Sequence, residues 1–278
     1  MIRMIEVAER RRSRSPWATA RAIYIVLFFS FFYVPILVLC VLSVNDSPVM
    51  GFPFQVATTQ WYASAVSDGV LLRALANSVQ LGIASASIAT ALALTAVLGL
   101  RYRLPFASCA IPLMVLPMIL PGIVTGVIML VFFGLAGIPT GLWPTTLITH
   151  VSWVLPFAFF TLYPRLHGFD RSIEEAAMDL GARPAIVFYR IVFPLIRSAV
   201  IGTLLFAFTL SFDEFVRTFF VIGSQQTVPV HLWILVTEQV APFLPAVGVL
   251  IMFTTLSVAA VGFIAMARSA DRRSPQTP

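Results

Sequence analysis

The sequence predicts an all-α membrane protein with six transmembrane helices and both ends in the cytoplasm. Three observations carry that expectation. Of 278 residues, 59% are hydrophobic and 11% are charged, whereas a soluble domain carries about 25% charged residues. Long stretches lack Asp, Glu, Lys and Arg altogether, and most exceed the roughly 20 residues that a helix needs to cross the hydrocarbon core. The arginines are concentrated in alternate connecting segments, as the positive-inside rule requires.

The spans follow in order from the uncharged runs. Residues 22–45 give the first and 74–100 the second. Residues 104–164 form one uncharged run too long for a single helix, broken by Gly134, Gly137, Pro139 and Gly141. It divides into spans at about 107–133 and 141–164. Only 15 uncharged residues lie between Arg197 and Asp213, so the fifth helix is expected to run on past Asp213 and Glu214 to about Ile222. Residues 239–267 supply the sixth. Pro112, Pro117, Pro121 and Gly122 crowd the third span and Pro156 interrupts the fourth. Each proline frees a carbonyl that must find another partner, through a simple kink or through a hinge or pathway lining.

With the N-terminus inside, cytoplasmic pieces hold six arginines (1–21), two (100–106), five (165–197) and three (268–278). Only Arg73 and Arg217 fall outside. The domain plan is a basic cytoplasmic tail (1–21), a six-helix membrane domain (22–267) with its largest cytoplasmic loop at about 165–197, and a second tail (268–278). The first apolar run is too long for a cleaved signal peptide. Topology accounts for the net charge of +6 without nucleic acid. All 18 basic residues are Arg, which excludes a lysine Schiff base and a lysine-containing phosphate loop. Cys40 and Cys109 lie in apolar runs as packing residues, with no disulfide or metal spacing.

The stretch Ser172–Pro194, SIEEAAMDLGARPAIVFYRIVFP, holds the loop's chemistry. Ser172 and Glu175 have capping-box spacing. Glu174 and Glu175 lie in the first turn, where the helix dipole favours anions. Asp179 and Arg183 can pair four residues apart. Gly181 suits a left-handed cap and Pro184 the start of a second helix, over about Ala185–Val192 and ended by Pro194. Ile173, Ala176, Ala177 and Leu180 form an apolar stripe. It could lie on the bilayer, pack on its own chain or dock a partner.

The same stretch resembles the EAA signature of ABC importer permeases: Glu175-Ala176-Ala177, then Gly181, then Ile191-Val192-Phe193-Pro194. Spacing matches throughout; Phe193 stands where Leu is usual. The resemblance covers about residues 22–267. It implies a type I ABC importer permease fold with a cytoplasmic coupling helix between helices 4 and 5. It also implies that Glu174, Glu175, Ala176, Ala177, Asp179, Gly181, Ile191 and Pro194 serve ATPase coupling. The implied partners are two copies of a cytoplasmic ABC ATPase, a second homologous permease and an extracytoplasmic solute-binding protein, in the bacterial inner membrane. No cofactor is implied in this chain, since ATP belongs to the ATPase. A second stretch, Ser211-Phe212-Asp213-Glu214-Phe215 with Phe219-Phe220-Val221 and Val228-Pro229-Val230, is similar to the spermidine/putrescine branch. That similarity implies a small cationic solute. Another amine, an amino-acid derivative or iron is the alternative, and an ion-coupled secondary transporter is a further rival.

Asp213 and Glu214, with Phe212 and Trp233, form the candidate translocation path. Acids inside a span are costly and mark function by default; the competing reading is an Asp213–Arg217 pair that only positions the helix. His150 and His231 read as packing or surface residues, His167 as interfacial, and none has metal-ligand spacing. Val230–Val240 reads as a short interfacial helix, and Trp61, Tyr62 and Trp143 as an aromatic belt.

Overall fold

The structure, a computed structural model, describes residues 16–47, 51, 53–102, 109–168, 170–239 and 242–271. Most of both predicted tails therefore lies outside the described residues. Apart from one bridge between Asn45 and Ala57, the described regular structure is helical. Among the described residues, four helical segments are long and apolar enough to cross a membrane, or five if one bent pair counts as a single span.

The chain divides into two compact units. The first comprises residues up to Ala65 together with Ala241–Phe253. Its main element is α1 (Pro16–Leu42), whose apolar side chains are exposed along almost the whole helix, as lipid-facing residues are. Gly248 lets the backbone approach α1 closely: a Cβ there would stand 3.2 Å from Leu39. After α1, Asn45 organises the loop. Its side chain donates to the Gly51 carbonyl (3.2 Å) and accepts from the Gln55 N–H (2.8 Å), while its own carbonyl accepts from Trp61 Nε1 (2.8 Å). Tyr62 OH lies 2.7 Å from Ser43 Oγ. Trp61 and Tyr62, expected only as belt residues, thus also staple this loop to α2 (Gln60–Ser67).

The second unit holds Val66–Val240 and the chain from Thr254. Asp68 opens α3 (Gly69–Arg101) by accepting from the Val70 and Leu71 amides at 2.7 and 3.2 Å. The buried face of α3 is built from small residues, Ala74, Ser78, Gly82, Ser85, Ala86, Ala89 and Ala93. Small residues let membrane helices approach and gain dispersion energy where no hydrophobic effect drives them together. A Cβ on Gly82 would meet the Phe208 ring at 2.8 Å. Along this seam α3 packs on α6 (Leu147–His167) and α9 (Phe193–Phe212), which also pack on each other. The core at one end gathers Val97, Phe159, Leu162, Leu166, Val187 and Ile196.

The third apolar run does not form one helix. α4 (Ala110–Ile119) and α5 (Gly122–Leu135) meet at 103°. Leu120 is extended (φ −71°, ψ 130°) ahead of Pro121, because a proline disfavours helical backbone in the residue before it. Pro121 thus breaks the run where a kink or hinge was the expectation. The fourth run is entered through Leu142–Thr146 and continues as α6. Cys40 is half-buried but Cys109, expected as a packing residue, is exposed at the start of α4; both thiols are free.

The loop helices are α7 (Ser172–Asp179) and α8 (Pro184–Val187). Pro194 does not end the second of these. Residues Phe188–Val192 form one wider π turn and the chain runs into α9, so Pro184–Phe212 is continuous helix. The bulge absorbs the proline: Phe193 N–H donates to the Phe188 carbonyl, five residues back, and single π turns commonly resolve such conflicts. At its other end α9 stops at Asp213, short of the Ile222 expected, and a new helix, α10 (Val216–Val221), begins. α11 (Val228–Ile234) and a π turn over Leu235–Gln239 follow, in the place expected for the interfacial helix. α12 (Leu244–Asp271) is a 28-residue helix.

Candidate functional site

The sequence-derived residues fall into two groups at the two ends of α9. Its 20 residues span about 30 Å at 1.5 Å each, so the groups are far apart and joined by one rigid element.

At the loop end, α7 does not start as expected. Ser172 and Glu175 form no capping box; the first residue's N–H instead finds Asp170 Oδ1 at 2.9 Å. That bond to Ser172 holds the exposed Asp170 carboxyl below its ordinary value. Glu175 is exposed and pairs with Arg171 at 3.2 Å. The end of α7 follows the sequence. Gly181 has φ +85°, its N–H donates to the Met178 carbonyl (2.8 Å), and Ala182 N–H donates to that of Ala177 (3.1 Å), a Schellman closure that favours glycine. A Cβ at Gly181 would meet nothing within 4 Å. The expected Asp179–Arg183 pair does not form among the described residues: the left-handed turn at Gly181 takes Arg183 off the α7 face that the i,i+4 rule assumes.

Burial sorts the rest. Ile173, Ala176, Asp179 and Leu180 are exposed, Leu180 by 91%. Ala177 is half-buried against the core, and Ile191 and Pro194 are half-buried along the helix. Glu174 differs from all of these: it is 1% exposed. Its Oε1 accepts from Arg101 Nε (2.8 Å) and Nη2, and its Oε2 accepts from Tyr102 OH (2.9 Å). Arg101 Nη1 also donates to the Leu166 carbonyl at 2.5 Å. Burial and the bond to Glu174 raise the Tyr102 pKa, which keeps the phenol a donor. Arg101 and Tyr102 are absent from the sequence-derived set; their only signal was the positive charge at the end of a span.

At the other end, the two acids separate. Asp213 is exposed and has no ion pair among the described residues. Glu214 is buried and pairs with Arg217: Oε2 accepts from Nη1 at 2.9 Å, Oε1 from the backbone N–H at 2.8 Å. The Asp213–Arg217 pair entertained from the sequence is therefore a Glu214–Arg217 pair. The same carboxylate ties down the first turn of the new helix, since Glu214 Oε1 accepts the Arg217 N–H there and a helix N-terminus favours negative charge. Arg217 also donates to Thr125 Oγ1 (3.2 Å) and lies 3.6 Å above the Trp153 ring. Phe212 packs on Phe208, and Trp233 on Phe215 with ring centres 5.4 Å apart.

His150 bridges the break. It is 1% exposed, with Nδ1 2.7 Å from Ser211 Oγ on α9 and Nε2 2.7 Å from Thr218 Oγ1 on α10. Ser85 Oγ donates to Ser211 Oγ, and Thr218 Oγ1 to the Glu214 carbonyl. A neutral ring satisfies these contacts in one way: Ser211 donates to Nδ1 and Nε2–H donates to Thr218. His150 is buried, as a packing residue would be, but its polar chain had no sequence signal, because the pairs Ser85–Ser211, His150–Ser211 and His150–Thr218 lie 126, 61 and 68 residues apart. Among the described residues no group of three His, Cys, Asp or Glu could hold a metal ion.

Residues 88–273 match the family model described as binding-protein-dependent transport system inner membrane component. The chain is 35% identical over 238 residues to the spermidine/putrescine transport system permease protein PotC of Escherichia coli K12, covering 84% of this chain and 88% of that one. It is 34% identical over 272 residues to the putrescine transport system permease protein PotI of the same strain, covering 94% of each. Among solved structures it is similar to a chain of a bacterial ABC transporter involved in import of the acidic polysaccharide alginate. That match has a TM-score of 0.71 at 13% identity, over 96% of this chain and all of the other. A chain of the MetNI methionine ABC transporter gives 0.60 at 13% identity, over 72% and 96%.

Proposed function

Because the chain belongs to the binding-protein-dependent transport system inner membrane components, we propose that it is one permease half of an ATP-driven polyamine importer. As a member of that family it is a non-catalytic, multi-pass subunit of the inner membrane that carries no cofactor. In the proposed arrangement six spans cross the membrane with both ends inside, the bent α4–α5 pair counting as the third and α12 as the sixth. A second permease stands beside it, two ATPase copies dock below, and a binding protein delivers the solute from outside.

The observation that carries the docking reading is the exposed face of α7. Ile173, Ala176 and Leu180 face outward although they are apolar, and Gly181 leaves open space beside them. An apolar helix face without a covering partner among the described residues suits insertion into a groove. ATP-driven closure of the ATPases moves this helix and shifts the spans between inward- and outward-open populations. At the other end of α9, Asp213 is the acid available to a cationic amine, because Glu214 is already neutralised by Arg217. The likeness to PotC and PotI supports putrescine or spermidine as the solute.

The test is affinity purification of the tagged chain in mild detergent, with co-purifying subunits identified by mass. Wild type brings down a P-loop ATPase and a second permease. A Glu175→Arg, Gly181→Asp double variant loses the ATPase and keeps the permease. A stable wild-type chain that purifies alone refutes the reading.

A further inference from the structure

Glu174 lies within the proposed docking motif yet is buried against its own chain. Resting on the importer reading above, we propose that Arg101, Tyr102 and Glu174 are positioning residues of the transport cycle. Their clamp makes the coupling helix and the ends of α3 and α6 a single moving unit.

The geometry has three parts. Both Glu174 oxygens are occupied inside the chain, one by Arg101 and one by Tyr102, and the side chain is 1% exposed. The same guanidinium reaches the Leu166 carbonyl in the last turn of α6. One Arg side chain therefore joins the last turn of α3, the last turn of α6 and the first turn of α7. Leu166 and Glu174 lie 65 and 73 residues beyond Arg101 in sequence. Arginine suits this place because its planar fork holds several acceptors in fixed directions, which a lysine ammonium does not.

Stability alone is a weak reason for such a clamp. A buried ion pair is often matched or exceeded by apolar residues of the same volume, and this end of the chain already has an apolar core in Val97, Phe159, Leu162 and Leu166. Transmission needs what apolar packing does not give. α7 has eight residues, too few to be stable as a helix by itself, and it meets α6 and α8 through short connections, one holding the left-handed Gly181. A push on the exposed stripe would swivel or melt such a helix. With Glu174 anchored on the inner face, the push passes into α3 and α6, which carry the Ser85 and His150 contacts to the break beyond α9.

The experiment is reconstitution of the full transporter, with its second permease, ATPase and binding protein, in proteoliposomes. ATP hydrolysed and labelled putrescine taken up are measured in the same vesicles for wild type, Arg101→Lys and Tyr102→Phe. The ATPase subunit is expected to stay in both variant complexes. Putrescine per ATP is expected to fall about fivefold or more in Arg101→Lys, the low end of typical coupling between sites, and less in Tyr102→Phe. A wild-type ratio in Arg101→Lys overturns the proposal. So does loss of the ATPase from that complex, which would make the clamp part of docking. If the Arg101→Lys chain itself fails to fold, Tyr102→Phe decides, and a wild-type ratio there overturns the clamp. Wild type without an ATPase refutes the importer reading itself, and the clamp falls with it; a coupled wild type with equally coupled variants refutes the clamp alone.

Discussion

At the scale of single residues, adjacent carboxylates have opposite duties. Asp213 is exposed and unpaired among the described residues, while Glu214 neutralises a buried arginine and accepts a backbone N–H in the first turn of α10. Removing one member of a buried pair strands the other charge at a cost of about 3 kcal/mol or more. Glu214→Ala is therefore expected to lower the Tm of the detergent-solubilised protein strongly. Asp213→Asn is expected to leave Tm nearly unchanged and to cut putrescine uptake through a raised KM. If Asp213→Asn transports normally at normal protein levels, the solute contact assigned to it is wrong. Equal thermal losses in the two variants would remove the division of labour. Glu174 repeats the lesson in the loop: it neighbours Glu175 in sequence, but one is buried against Arg101 and Tyr102 and the other is exposed beside Arg171.

Individual helices are shaped by where their regularity fails. Pro121 turns the third run through 103°, Pro194 is absorbed in a π turn, and α9 ends at Asp213 with α10 beginning three residues on. Two positive-φ glycines illustrate the difference between exposed and enclosed turns. Gly181 (φ +85°) has open space where a Cβ would stand, whereas at Gly223 (φ +69°) a Cβ would lie 2.6 Å from the Thr140 carbonyl oxygen. Gly181→Ala should cost about 1 kcal/mol, the backbone penalty alone. Gly223→Ala adds a clash with fixed backbone and should lower the Tm of the purified protein clearly further. Equal shifts would show that the 140 and 223 segments separate easily. The capping glycine was legible in the sequence because its cause is local. The enclosed one was not, because its neighbour lies about 80 residues away.

For the molecule as a whole, the proposed topology puts the coupling loop inside and the segment after α1 outside. With Cys40 and Cys109 replaced, a cysteine at Leu180 should react with an impermeant maleimide only in inside-out vesicles. A cysteine at Thr59 should react only from the outside of intact cells. Labelling of both from one side would refute the six-span arrangement. Family membership and the likeness to importer chains rest on most of the chain's length. A motif within the matched residues was legible in the sequence: Glu175-Ala176-Ala177, Gly181 and the Ile191–Pro194 segment keep fixed spacing within one loop.

The sequence alone determined what depends on composition and on neighbours along the chain. It set membrane residence, the apolar runs, the family signature, the left-handed cap at Gly181 and the helix start at Pro184. Residues within a few positions of each other, or summed over a whole run, produce those features. Only the tertiary structure decided which acids are free. The partners of Glu174, Glu214 and His150 were settled by side chains converging from α3, α5, α6, α9 and α10. An unpaired charge inside apolar surroundings is costly, so each acid takes whichever cation the packing brings within reach. For Arg217 that was Glu214 three residues away rather than Asp213 four residues away, because the helix that would have aligned the latter pair ends at Asp213.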